Sequence, residues 1–339
     1  MTPFPALLNR LIEGHHLEYG QMMALMRAIM GGVLTPIQIA AVLVALRCKG
    51  ETVDEIAAAA TVMRELSIRV SLTDQPDLVD TCGTGGDATH TFNISTAAAI
   101  VAAAAGVKVA KHGGRSVSST SGSADVLEAL GVNVQLDPEQ VSRCVRDIGI
   151  GFMFAPNHHS AMKFAAPVRR ELGIRTLFNL LGPLTNPAGA ANQVIGVYAA
   201  NLTRPLALAL HQLGSRHVLV VHGADGMDEL SLSGESQIAE LQAGVVREYT
   251  VYPEQFGLQR AEIAALRVGN LEAATDLLQR AITGQHRAAS DVVALNAGAA
   301  IYVSGMVASL NAGVQLAAQH IASGAAQRKL EQLIAYSHV

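Results

Sequence analysis

Two short apolar runs in succession end in loops poor in bulky side chains, and each loop opens directly onto a helical pattern. This repetition constrains the fold more than any other feature of the chain. The first loop lies in DTCGTGGDATHTFNIST, Asp80 to Thr96, where Gly83, Gly85 and Gly86 precede an alanine-rich helix starting near Ser95 and closed by Gly106. Glycine costs roughly 0.5–1 kcal/mol wherever order is needed, so a cluster here implies that backbone amides approach something closely. The amides and the positive helix end point at one place, which suits an anion. The pattern is neither GxxxxGK[ST] nor GxGxxG. A tight strand-to-helix turn without a ligand is the alternative. Asp87 would repel a bound anion unless a cation or a sugar hydroxyl lay between them.

The second loop, in KHGGRSVSSTSGSADVLEALG from Lys111 to Gly131, offers Lys111, His112 and Arg115 with hydroxyls at Ser116, Ser118, Ser119, Thr120, Ser121 and Ser123. It reads as a second polyanion cradle, with a solvated serine-rich loop as the alternative. Two such loops at consecutive strand ends weigh against coincidence.

The first ~70 residues read as helices joined by short turns. Thr35 caps a helix that begins at Pro36 and ends before Gly50, with Ile37, Ala40, Ala41 and Val44 at one-face spacing. Thr52 and Glu55 form a capping box for the next helix. From about Leu78, β-branched runs at 107–110, 132–136, 150–155 and 217–223 alternate with helical segments, which predicts a largely parallel sheet flanked by helices. Asp137, Pro138 and Gly149 bound one of those helices, and the alanine-rich C-terminal third is expected to cover the sheet.

Two domains are expected from 339 residues. Half the residues are hydrophobic and 15% are charged, which excludes general disorder; a net charge of -4 gives no reason to expect nucleic acid. Cys48, Cys82 and Cys144 match neither a disulfide framework nor a zinc pattern, so a reducing cytoplasm is the expected location. Cys82 reads as a small filler, not a nucleophile. No basic leader precedes an apolar core, and the run from Ala97 to Ala105 is less than half a membrane span, so no membrane association is expected.

Two further segments carry candidate chemistry. Around His158 and His159, a cationic stretch includes Lys163, Arg169, Arg170 and Arg175 and runs into the turn GPLTNP. Arg169 could fork onto a carboxylate, whereas Arg170, adjacent on the helix, belongs to another face. The pair of histidines is too small for a metal site. Downstream, VVHGADGMDELSLSG sets Asp225, Asp228 and Glu229 after a buried strand, which invites magnesium bridging to a phosphorylated substrate or is an ordinary acidic turn.

Taken in order, GTGGD, FNIST, KHGGRSVSSTSGSADVLEALG, RRELGIRTLFNLLGPLTNPA and HGADGMDELS closely resemble the anthranilate phosphoribosyltransferase family, over roughly Val79 to Gly234. The resemblance implies an α/β nucleoside-phosphorylase-like fold in which a small all-helical domain, 1–72 with a contribution from about 163–185, adjoins a larger α/β domain, 73–339, with a mostly parallel central sheet flanked by helices. It further implies a cleft between the two, a homodimer formed through the helical parts, and transfer of phosphoribose from phosphoribosyl pyrophosphate to the amine of anthranilate in tryptophan biosynthesis.

Carried onto this chain, the family pattern puts Gly83, Gly86, Asp87, Thr91, Asn93, Ile94, Ser95 and Thr96 around phosphoribosyl pyrophosphate, with Lys111, His112, Gly113, Gly114, Arg115, Ser116, Val117, Ser118, Ser119 and Ser123 completing the cradle. Ser95, Asp228 and Glu229 are the implied magnesium ligands, serving two ions per monomer. Anthranilate is expected near Gly83, His112, Gly114, His159, Arg169, Gly182 and Pro183. No dedicated nucleophile or base is implied. One position departs: the family commonly reads KHGN where Gly114 stands here.

Two competitors share parts of this pattern. A pyrimidine-nucleoside phosphorylase has the fold, but such enzymes resemble KHSTGGVGD where this chain reads DTCGTGGD. A nucleic-acid-binding relative calls for a basic surface and an eroded metal site, whereas acidic residues outnumber basic ones here, 28 to 24.

Overall fold

The computed structural model describes residues 3–72, 74–87, 89–115 and 121–339. The sites expected at Ser116, Val117, Ser118 and Ser119 lie outside the described residues.

Helices α1 (Phe4–Ile12), α2 (Tyr19–Met30), α3 (Pro36–Lys49) and α4 (Val53–Glu65) build the N-terminal unit. Their starts follow from local chemistry. Thr35 Oγ1 accepts from the Gln38 amide while Gln38 returns a bond to the Thr35 amide, and Thr52 and Glu55 repeat the box at α4. The apolar face read for α3 is corrected: Ile39, Val42, Leu43 and Leu46 are buried, whereas Ile37 is 82% exposed and Val44 37%. This helix is apolar all round, so spacing could not choose the inward face.

Among the described residues seven strands form one sheet in the order β3-β2-β1-β4-β5-β6-β7. The strands are β1 (Val79–Thr81), β2 (Val109–Gly113), β3 (Ile150–Phe154), β4 (Asn192–Gly196), β5 (His217–Gly223), β6 (Ser236–Gln242) and β7 (Val245–Val251). The first five in that order pair in parallel, and β6 and β7 extend the edge antiparallel. The period of two divides two cores. Val194, Leu219 and Val221 face α5 (Ile94–Ala104) and the C-terminal helices, whereas Ile195, Val218 and Val220 face the N-terminal unit.

One expected strand is absent. Segment 132–136 buries Val132, Val134 and Leu136 alternately, but the Asn133 amide donates to Ser337 Oγ and the Gln135 amide to Asn133 Oδ1. Side chains satisfy its backbone, so its alternation marks a half-buried extended segment. The run at 107–110 also begins late, because the Val107 amide still bonds to Ala102 O at the end of α5.

Connections at the C-terminal ends of the parallel strands position the site. α6 (Ser123–Ala129) follows the second glycine loop, and α7 (Pro138–Ile148), capped by Asp137, leads into β3. After β3, the single turn α8 (Ala155–His158), then α9 (Ala166–Leu172) and α10 (Leu177–Leu184), return to the N-terminal core through Val168, Phe178 and Leu181. α11 (Thr203–Gln212) joins the same face; α12 (Leu271–Ile282), α13 (Arg287–Val303), α14 (Leu310–Ala322) and α15 (Ala325–Tyr336) cover the other. No helix among the described residues is long and apolar enough to cross a membrane.

Candidate active site

A cleft of about 880 Å³ opens where the loops after β1, β2 and β5 face the α9–α10 wall. Gly83, Gly86, Asp87, Thr91, Asn93, Ile94 and Ser95 reach it from the first loop, and Lys111, His112, Gly113, Gly114, Arg115 and Ser123 from the second. Arg169, Gly182 and Pro183 line the helical wall, with Asp228 and Glu229 opposite. Two expected residues stand behind this surface. Thr96 is 1% exposed, and His159 packs edge-on against His112 with ring centroids 5.1 Å apart.

The glycines have separate reasons. Gly85 and Gly86 have φ of 64° and 73°, a left-handed backbone that other residues adopt at a cost. Gly83 is needed for space, because a Cβ there would lie 2.6 Å from Asp228 Oδ2. The same carboxylate accepts from the Gly85 amide at 2.8 Å. Asn93 and Ser121 exchange two hydrogen bonds and so join the first loop to the second.

Asp228 and Glu229 are half-buried side by side; burial and the charge of Asp87 raise both carboxyls above the usual range, and the Asp228 charge adds to the rise at Glu229. Lys111 is 3% exposed and donates to Thr81 O and Ser95 Oγ. The charge is therefore poised for a cation: two hard carboxylates and the Ser95 hydroxyl suit magnesium, which needs few protein ligands when phosphate oxygens and water complete its shell. Among the described residues no three His, Cys, Asp or Glu side chains form a metal site by themselves. Asp225 is different in kind. It accepts from Ser231 and Ser233 hydroxyls, each at 2.6 Å, and from the Met227 amide, and organises the turn.

Burial pushes the His112 imidazole well below its ordinary range and His159 to about 4, so both are neutral at pH 7. Neither ring nitrogen of His112 has a hydrogen-bond partner. His158 points elsewhere, to Ile68 O at 2.8 Å. Behind the cleft, buried Asp80 accepts from the His112 amide and from Asn186 and fixes the end of β2.

The arginines differ in how their charge is used. Arg115 is bound to Asp125 and Glu128 within 3 Å. Arg169 is half-buried over the Phe178 ring at 5.4 Å, and no carboxylate pairs with it among the described residues. Arg170 also lines the cleft, although helical spacing placed it on another face, because the cleft mouth is wide enough to include its exposed neighbour. Arg175, to which the sequence assigned no role, lines the mouth as well and donates to Gly86 O. Its signal was its place between the helix-ending Gly173 and the helix-opening Thr176. The three cysteines are free.

The fold and site define a glycosyl transferase. Residues 5–67 match the helical bundle domain of a glycosyl transferase family, and residues 75–327 match its a/b domain. The chain is 60% identical over 337 residues to an anthranilate phosphoribosyltransferase of Thiobacillus denitrificans, covering 99% of this chain and 98% of that protein. It is 57% identical over 333 residues to that of Nitrosomonas europaea, covering 98% of each. The crystal structure of anthranilate phosphoribosyltransferase from Thermus thermophilus superposes with a TM-score of 0.92 at 46% identity, over 98% of this chain and 99% of that one. The Saccharomyces cerevisiae enzyme in complex with PRPP and Mg superposes with a TM-score of 0.87 at 27% identity, over 99% of this chain and 98% of that one. The chain belongs to the anthranilate phosphoribosyltransferase family.

Proposed function

We propose that the protein transfers the 5-phosphoribosyl group from phosphoribosyl pyrophosphate to the amine of anthranilate, releasing pyrophosphate, as a step of tryptophan biosynthesis. The observation that carries this reading is one cleft that joins two glycine loops and Asp228 with Glu229 to a wall bearing Arg169, with which no carboxylate pairs among the described residues.

In the transfer, the bond from ribose C1 to pyrophosphate breaks and a C1–N bond forms. Positive charge builds on the sugar and negative charge on the leaving group. Glycine-loop amides, the N-terminus of α5 and Lys111 face that negative charge, and they are fixed before the substrate arrives. Asp228, Glu229 and Ser95 Oγ would hold magnesium, read as two ions per monomer, which when bound supplies further positive charge at the pyrophosphate. Arg169 holds the anthranilate carboxylate, and neutral His112, backed by His159, walls the ring. Gly182 and Pro183 close the same side. The attacking arylamine gains mainly from being positioned.

The exposed Ile12, Val33, Ile37 and Val44 belong to the helical unit, where α1 packs on α3, and they support a homodimer through it. For the domain division at 1–72 and 73–339, with 163–185 joining the smaller domain, the support is that Val168, Phe178 and Leu181 share a core with the N-terminal helices, a core that also takes in Ile195, Val218 and Val220 of the sheet. A cytoplasmic location fits the three free cysteines. The test is loss of anthranilate fluorescence when both substrates and magnesium are present. Turnover undiminished in excess chelator would sink the metal assignment, and no turnover in the complete mixture would sink the function.

A further inference from the structure

The left-handed backbone at Gly85 and Gly86 gives the first loop no regular hydrogen bonding of its own, so its conformation depends on outside ties. One tie is the Gly85 amide on Asp228. Another comes from across the cleft, where Arg175 donates to Gly86 O. Its guanidinium also lies 4.3 Å above the Tyr198 ring, and no carboxylate pairs with it among the described residues. Both platforms are fixed. Gly173 ends α9 with φ of 62°, and Thr176 and Asn179 cap α10, so the backbone bearing Arg175 is held on either side. The Tyr198 amide donates to Thr84 Oγ1 and the Thr84 amide to Gly196 O, so the aromatic platform is itself bonded to the glycine loop.

We propose that Arg175 is a positioning residue for the phosphoribosyl pyrophosphate site: stacked on Tyr198 and bonded to Gly86, it ties the helical wall to the glycine loop and holds the loop amides and Asp228 in their binding geometry. The proposal rests on the transferase reading. Arginine suits this role better than lysine, because a planar guanidinium stacks and donates at once. Arg115, on the opposite wall, is committed to Asp125 and Glu128 and cannot serve it.

The test compares wild type with Arg175→Ala, Arg175→Lys and Tyr198→Ala. Three measurements are made: steady-state kinetics with each substrate varied, direct binding of phosphoribosyl pyrophosphate with magnesium, and hydrogen exchange of the peptide spanning 82–87. Arg175→Ala is expected to raise both KM and Kd for phosphoribosyl pyrophosphate about tenfold, the scale of one lost charge-assisted hydrogen bond. It should also speed exchange in 82–87, while the anthranilate KM stays within about twofold. Arg175→Lys should recover only part of the loss, and Tyr198→Ala should move the same constants in the same direction. A change confined to the anthranilate KM would make Arg175 a ligand of that substrate and overturn the proposal. Unchanged constants and exchange, or faster exchange throughout the chain with a lower melting temperature, would overturn it too. Wild type inactive with both substrates would instead overturn the transferase reading, since exchange in 82–87 reports the tie without turnover.

Discussion

The Gly85 amide donates to the Asp228 carboxylate across 2.8 Å, which joins the glycine loop to an acid 143 residues further along the chain. Gly83 and Gly196 press on the same residue from two sides: a Cβ on Gly196 would lie 1.4 Å from Asp228 O. Gly83→Ala forces its new methyl against Asp228 Oδ2, and the carboxylate must turn away. We expect kcat/KM to fall about ten- to a hundredfold, the range of one lost charge-assisted hydrogen bond, with little change in melting temperature. Kinetics beside thermal melts check this, and a normal rate would mean that Asp228 need not hold its position.

Asp228→Asn should abolish turnover yet stabilise the ligand-free protein. Burial and the charge of Asp87 raise the Asp228 carboxyl, so the folded chain keeps a proton there to higher pH than the unfolded chain does. Stability is therefore lost as pH rises above the unfolded value of about 3.9. Asparagine removes the charge and retains an oxygen for the Gly85 amide. At pH 8 the variant should melt roughly 2 °C or more above wild type. The gap should close on acidification, and a lower melting temperature at pH 8 would refute the reading.

In the helical unit, Glu55 and Lys49 form a buried pair at 2.8 Å. Burial alone would raise the Glu55 carboxyl, but bonds from the Leu17 amide, Lys49 and the Thr52 amide outweigh it and hold the group below its ordinary value. Its stabilisation is complete above the unfolded pKa of about 4.3 and is lost as pH falls through the lower folded value. Glu55→Ala should cost about 3–5 kcal/mol near neutrality by leaving Lys49 buried and unpaired. Denaturant titration at a series of pH values should show Glu55→Gln approaching wild type only in acid.

Local chemistry made much of this fold legible. The caps at Thr35, Thr52 and Asp137 depend on residues three apart, and each is formed. The glycine loops could be read because positive φ and close approach leave few residue types to choose from. What sequence left out depends on distant partners. The hairpin of β6 and β7 turns on Ala243 and Gly244, both with positive φ, where alanine gives no warning. Arg115 looked like a free cation because its acids stand 10 and 13 residues away across a loop. His159 shares a segment with Arg169 but lies behind His112, which only the packing of the α8 turn decides.

Arg169→Ala should weaken anthranilate much more than phosphoribosyl pyrophosphate. The guanidinium is half-buried over Phe178, so its bond to a carboxylate is shielded and worth roughly 1.5–3 kcal/mol. Arg170→Ala should have a smaller effect, since that side chain lines the cleft from an exposed position where water screens it. Substrate-specific KM values for the two variants distinguish them, and equal loss for both substrates in Arg169→Ala would make that arginine structural.

Gly114 stands where the family resemblance leads one to expect asparagine, and its glycine is not required by the backbone. Its φ lies outside the left-handed region, and a Cβ there would meet only Ala155 Cβ, at 4.0 Å. A side chain can therefore enter the cleft from this position without displacing a neighbour. If asparagine donates to anthranilate, the added bond contributes about 0.5–1.5 kcal/mol, and Gly114→Asn should lower the anthranilate KM by up to roughly tenfold. The KM for phosphoribosyl pyrophosphate should hardly move. Gly114→Ala and Gly114→Val separate this gain from geometry, because neither can donate and the open space leaves no reason for a graded loss. Improvement with asparagine alone would establish a missing contact. Loss growing from asparagine to valine would mean that the loop needs glycine after all, and equal constants in all three would remove Gly114 from the anthranilate site.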